Sequence, residues 1–123
     1  MNGGSPYIVV IAEDDAMNVK YLQNHTNVDL TVTLFVGTGV QCDDGLHMTH
    51  TTRLRAQGRI HIEYGDLYCN YLTGIRVVCD LEGSRLSFRQ MVKNAGSPFA
   101  HCLNAGSYLG IRSLQPLELE SGA

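Results

Sequence analysis

His61 and Glu63 form an H-x-E pair. On a β-strand both side chains project from one face, where an imidazole and a carboxylate can share a metal ion or trade a proton. No second histidine and no downstream carboxylate follows at the spacing that would complete such a centre. His47 and His50 stand three apart, a spacing that makes them joint ligands on a helix and separates them onto opposite faces of a strand. Nucleophilic catalysis has less to work with. There is no G-x-S-x-G elbow, and none of Cys42, Cys69, Cys79 and Cys102 has a neighbour that would lower its pKa, His101 beside Cys102 included. Gly37-Thr38-Gly39 is too short to cradle a phosphate and lacks the lysine of the known fingerprints. The residues imply no metal and no cofactor.

What stands out is arginine. All seven arginines lie between positions 53 and 112, the chain has only two lysines, and acidic residues gather at its ends in Glu13-Asp14-Asp15 and in Glu118 and Glu120. A guanidinium recognises carboxylate or phosphate through a planar two-donor fork, which diffuse attraction does not require. The net charge of −3 argues against broad, salt-driven binding to nucleic acid. The arginine-rich middle suits an anionic ligand or a complementary subunit.

These side chains have to be positioned by strands. Leu46, Met48, His50, Thr52 and Leu54 alternate with His47, Thr49, Thr51, Arg53 and Arg55, and Ile60, Ile62 and Tyr64 alternate with Arg59, His61 and Glu63. A loop at 56–58, with Gly58 at positive φ, predicts a hairpin that pairs Leu54 with Ile60 and Arg55 with Arg59. His50 then falls opposite Tyr64. A two-residue turn at Glu82-Gly83 predicts a second hairpin, with Cys79 opposite Leu86, Val77 opposite Phe88, Asp80 opposite Arg85 and Arg76 opposite Arg89. The outward parity of the two hairpins carries Arg53, Arg55, Arg59, His61, Arg76 and Arg89, and these are the expected ligand-binding residues. Like charges placed directly opposite destabilise a sheet unless something compensates them. Arg53, Arg55 and Arg59 should therefore converge with His61 on one concave patch.

Elsewhere, Tyr7 to Ala12 reads as a buried strand, Met17 to Leu22 as a short helix capped by the preceding acids, and Val28 to Val36 as a strand whose apolar face is Leu30, Val32, Leu34 and Val36. Ser97-Pro98 reads as the cap and first residue of a helix through Leu103, stopped at Asn104-Ala105-Gly106. Ser107 to Leu119 reads as one edge strand interrupted by Pro116. A chain of 123 residues with this apolar content is expected to form a single globular domain, residues 1–123. No apolar run approaches the roughly 20 residues of a membrane span, and Met1-Asn2-Gly3-Gly4-Ser5 lacks the charged start of a signal peptide, so a cytoplasmic location and free thiols are expected. Asn24-His25-Thr26 fits the glycosylation sequon.

Ile8 to Ala12 followed by Glu13, Asp14 and Asp15 resembles the first strand and acidic pair of response-regulator receiver domains, and Asp66, eight residues before Gly74, falls where that family has its phosphoacceptor. Asn94-Ala95, Ala105-Gly106 and Gln115-Pro116 lie near its later signatures. The resemblance implies a doubly wound signalling domain, but a degenerate one. Gln115 stands in place of the family's lysine and Asn94 in place of its hydroxyl residue, so a phosphoryl group on Asp66 would lack its lysine partner.

The leading expectation is a mainly β domain, an antiparallel meander forming a sandwich or partly open barrel with one or two short helices. It is a non-catalytic binding or assembly module, acting through an arginine-bearing sheet face, with self-association, a protein partner or an anionic small molecule as its occupant. A degenerate receiver at Asp14, Asp15 and Asp66 is the alternative, and a metal-assisted enzyme at His61 and Glu63 the second.

Overall fold

The computed structural model describes residues 18–37, 48–65 and 69–122. Among them are eight strands and one helix: β1 Asn18–Asn24, β2 Leu30–Gly37, β3 Met48–Leu54, β4 Arg59–Tyr64, β5 Tyr71–Leu81, β6 Ser84–Met91, α1 Pro98–Asn104, β7 Tyr108–Leu114 and β8 Leu117–Gly122. They build two four-stranded sheets, ordered β4-β1-β7-β8 and β3-β2-β5-β6. All pairs are antiparallel except β1 with β7, which is parallel, so the chain is mainly β with a sandwich-like arrangement and is not a closed barrel.

The two sheets share one core. Leu22, Ile62, Leu109 and Ile111 of the first meet Leu30, Val32, Leu34, Leu54, Ile75 and Val77 of the second, all 5% exposed or less, with Ala100 and Leu103 of α1. Burying a side chain of this size is worth about 1.5–3 kcal/mol, which makes this alternation the main determinant of the fold. The strand expected at 28–36 has the predicted inner face. The β5–β6 hairpin has the predicted register throughout: Val77 faces Phe88, Cys79 faces Leu86, Asp80 faces Arg85 and Arg76 faces Arg89. Its turn places Glu82 at φ 52° and Gly83 at φ 83°, the left-handed pair that a two-residue hairpin turn needs. Helix α1 begins where expected, with the Ser97 side chain accepting from the Ala100 N–H. Its last residue, Asn104, docks on β5: the Asn104 Oδ1 accepts from Leu72 N at 2.8 Å and Nδ2 donates to Leu72 O at 3.0 Å, replacing a strand neighbour.

Three expectations are corrected. The 48–64 stretch is not a hairpin. Leu54 pairs with Leu30 in one sheet and Ile60 with Leu22 in the other, so residues 55–58 are a corner that carries the chain between sheets. The positive φ there belongs to Gln57, at 59°. Glycine is needed at 58 because a Cβ would stand 2.8 Å from Arg55 O. Residues 18–24 are a strand and not a helix. Finally, 107–119 is a hairpin, β7 and β8 about the cis Gln115–Pro116 bond, and not one strand.

One buried residue holds the corner. The Asn24 side chain, 0% exposed, donates through Nδ2 to Val28 O at 2.8 Å, Leu54 O at 3.1 Å and Arg55 O at 3.0 Å, and accepts through Oδ1 from Thr26 N and Thr26 Oγ1. It ties the end of β1, the β1–β2 turn and the sheet crossover together. Gln57 adds donors from the other side, reaching His25 O and Thr26 O at 3.0 Å.

Candidate functional site

The arginines divide between the two outer faces. On the β3-β2-β5-β6 sheet, register places Arg53 beside Thr31, Thr31 beside Val78 and Val78 beside Ser87. The next row is Thr51, Thr33, Arg76 and Arg89, and the one beyond is Thr49, Phe35, Gly74 and Met91. Arg85, opposite Asp80, completes the set. Arg53, Arg76, Arg85 and Arg89 are all exposed, and none of them is in an ion pair among the described residues. Phe35, although it points outward, is only 9% exposed, and the Arg89 guanidinium lies 5.0 Å from its ring centroid. This cation–π contact draws Arg89 across the sheet toward Phe35 and spends none of its hydrogen-bond donors.

Arg59 and His61 lie on the outer face of the other sheet. His61 is the register partner of Tyr21, its ring centroid 4.9 Å away and tilted by 45°, and the Arg59 guanidinium sits 5.0 Å from the Tyr21 centroid. Arg55 is at the corner, its side chain exposed and its carbonyl occupied by Asn24 and Gly58. The single patch of Arg53, Arg55, Arg59 and His61 is therefore not formed. It depended on β3 and β4 being one hairpin, and the sheet crossover turns their outward sides to opposite faces of the sandwich.

A polar groove of about 530 Å³ crosses the end of the arginine face. Arg53 and Arg85 line it from the two edge strands, with Thr31 and Val78 between them and Asp29 and Asp80 at the rim. Asp29 Oδ1 is already engaged by the Ala56 N–H at 2.9 Å. Cys79 also lines the groove, but burial, helped by the Asp80 charge, pushes its thiol up and away from the nucleophilic thiolate.

The opposite sheet carries a cluster that the sequence reading missed. The Tyr108 hydroxyl donates to Glu120 Oε2 at 2.6 Å, His25 Nε2 lies 2.7 Å from the same hydroxyl and 3.1 Å from Oε2, and Arg112 donates to Oε1 at 3.2 Å. Burial and then the Glu120 hydrogen bond push Tyr108 up to about 12, while the Tyr108 hydrogen bond, followed by His25 and Arg112, holds Glu120 below the ordinary carboxylate range. Tyr108 lies across Gly110, where a Cβ would collide with its hydroxyl oxygen. The one available signal was Tyr108, Gly110 and Arg112 alternating on a strand with Glu120 on the next. A second missed residue is Lys20, which points into the core, 1% exposed, and donates to Gly106 O at 3.0 Å. Burial holds its amine below the usual lysine range, against the opposing influence of Cys102.

His61 and Glu63 do share a strand face, yet among the described residues no group of three or more His, Cys, Asp and Glu is placed to hold a metal ion. His50 is half-buried opposite Leu34, not Tyr64, and His47 lies outside the described residues, as do Asp14, Asp15, Asp66 and the expected strand at 7–12. The doubly wound receiver fold is corrected: 48–54, 71–81 and 84–91 are strands, and the described helix is α1 alone. No helix among the described residues is long and apolar enough to cross a membrane. The chain matches no protein-family model, no curated protein and no solved structure.

Proposed function

We propose that this chain is a non-catalytic binding or assembly module whose contact surface is the outer face of the β3-β2-β5-β6 sheet. The observation that carries the reading is the row of Arg76 and Arg89, two arginines at directly opposite positions without an acidic partner among the described residues, flanked by Arg53 and Arg85. Such a row lowers the stability of the isolated sheet and is compensated when an anion or an acidic surface of a partner is laid on it. Arg59 and His61, on the opposite sheet, serve the packing of Tyr21 in this reading. The free thiols of Cys79 and Cys102 suit the reducing cytoplasm in which we place the protein.

The test pairs ligand titration with sedimentation. The Arg76→Ala/Arg89→Ala variant is compared with the parent for binding of phosphate-bearing ligands and for mass in solution. Loss of anion binding, or a shift to a lower oligomer, is the expected result. A variant identical to the parent in both measurements would leave the face an ordinary solvated surface.

A further inference from the structure

The groove at the end of this face points to a narrower chemistry. We propose that Arg53 and Arg85 together bind a small ligand carrying two anionic groups, one on each guanidinium, with a hydrogen-bond donor between them. This rests on the reading of the arginine face as a binding surface.

Three observations carry it. The groove, about 530 Å³, has the size of a small-molecule cleft, and its lining is polar around a floor of Val78. Its two arginines come from opposite edges of the sheet, β3 and β6, with β2 and β5 between them. Three strand spacings of about 4.8 Å across the sheet, and an offset of two residues, about 6.8 Å, along it, put their Cα atoms about 16 Å apart. Two arginines at the ends of that span suit a ligand with an anionic group at each end better than a single anion in the middle. Neither arginine is in an ion pair among the described residues, so both forks are free to accept a carboxylate or phosphate edge.

The acids of the groove give the third requirement. Asp29 is satisfied by the Ala56 N–H, whereas Asp80, directly opposite Arg85, has no hydrogen-bond or ion-pair partner among the described residues. A simple dianion would place a charge against it. A ligand hydroxyl or ammonium next to the anionic group would instead donate to the Asp80 carboxylate. Thr31, beside Arg53 in the groove lining, supplies a hydroxyl that no protein side chain takes among the described residues. Hydroxy- or amino-dicarboxylates and their phosphorylated counterparts meet all of these conditions.

Calorimetric titration with malate, succinate and inorganic phosphate tests it. Malate should bind about tenfold tighter than phosphate, the size of one charge-assisted contact. Arg53→Ala and Arg85→Ala should each remove that advantage, and Asp80→Asn should erase the preference for malate over succinate. Arg112→Ala, on the opposite sheet and outside this face, should bind malate like the parent. Phosphate binding as tightly as malate, or malate binding that survives both Arg53→Ala and Arg85→Ala, would overturn the groove assignment. If the Arg76→Ala/Arg89→Ala variant still alters anion binding or mass in that case, the broader reading of the face stands without the groove.

Discussion

Arg76 and Arg89 face each other across the β5–β6 pair, and Arg89 is held over the ring of Phe35 at 5.0 Å. Arg76→Glu converts a repulsive cross-strand pair into an attractive one. Chemical denaturation should show a gain of about 0.2–1 kcal/mol, while binding to the face is lost. A variant that is both less stable and still competent would mean that the pair is already compensated within the chain.

Asn24→Ala should cost about 3 kcal/mol or more, because it leaves the carbonyls of Leu54 and Arg55 without that donor inside the sheet crossover. Urea unfolding reads the loss directly. Asn24→Asp, which keeps the size and replaces a donor by an acceptor, should recover little of it at neutral pH. A cost below 1 kcal/mol would show that the corner is held by Gln57 alone.

The Tyr108–Glu120 pair predicts two ends of a pH profile. Glu120 is held below its unfolded value, so its contribution to stability is present at neutral pH and is lost as the pH falls through its depressed folded value. Tyr108 is held above its unfolded value, so its contribution is present below about pH 10 and is lost as the pH rises through about 12. Glu120→Gln should flatten the acid limb of the profile, measured by thermal melts from pH 5 to pH 2 in steps of about one unit. In an alkaline absorbance titration it should also bring one tyrosine back toward the ordinary range.

Gly110→Ala should have the same alkaline signature without removing a charge. The added methyl displaces the Tyr108 hydroxyl from its seat over Gly110, so Tyr108 should titrate nearer to 10 and β8 should loosen. Hydrogen exchange at the β8 amides, compared with those of β5, checks the second part. Unchanged exchange and an unchanged tyrosine titration would mean that the ring relocates without loss.

The parity of β2 to β6 was legible in the sequence, and for one hairpin so was the partner. Alternation states which side of a strand is buried, and Leu54 and Ile60 both point inward in the expected hairpin and in the actual crossover. The two arrangements differ in which strand lies alongside, and a period of two carries no information about that. The β5–β6 pair was readable because its turn residues, Glu82 and Gly83, fix the neighbour as well as the face. In β1 the signal was inverted: Lys20 and Asn24 point inward while Val19 and Tyr21 are 39% and 37% exposed, so the strand did not look like one. The site inherited both outcomes. Arg76 and Arg89 were placed correctly by the hairpin, and Arg59 and His61 were assigned to the wrong sheet by the crossover.

Asn24 is also the acceptor position of the Asn-His-Thr sequon, and Nδ2, the atom to which a sugar would be joined, is the one that donates to Val28, Leu54 and Arg55. The hydroxyl of Thr26, which defines the sequon, is turned onto Asn24 Oδ1 at 2.7 Å. A glycan on this nitrogen would occupy the point where the two sheets join, and the sheets could not close around it. A chain threaded through a membrane past an oligosaccharyltransferase would thus face a choice between carrying the sugar and completing its fold. Synthesis that never meets that enzyme removes the conflict, and fusing a secretion signal to this chain should turn the occupancy of a single asparagine into a readout of whether it folded.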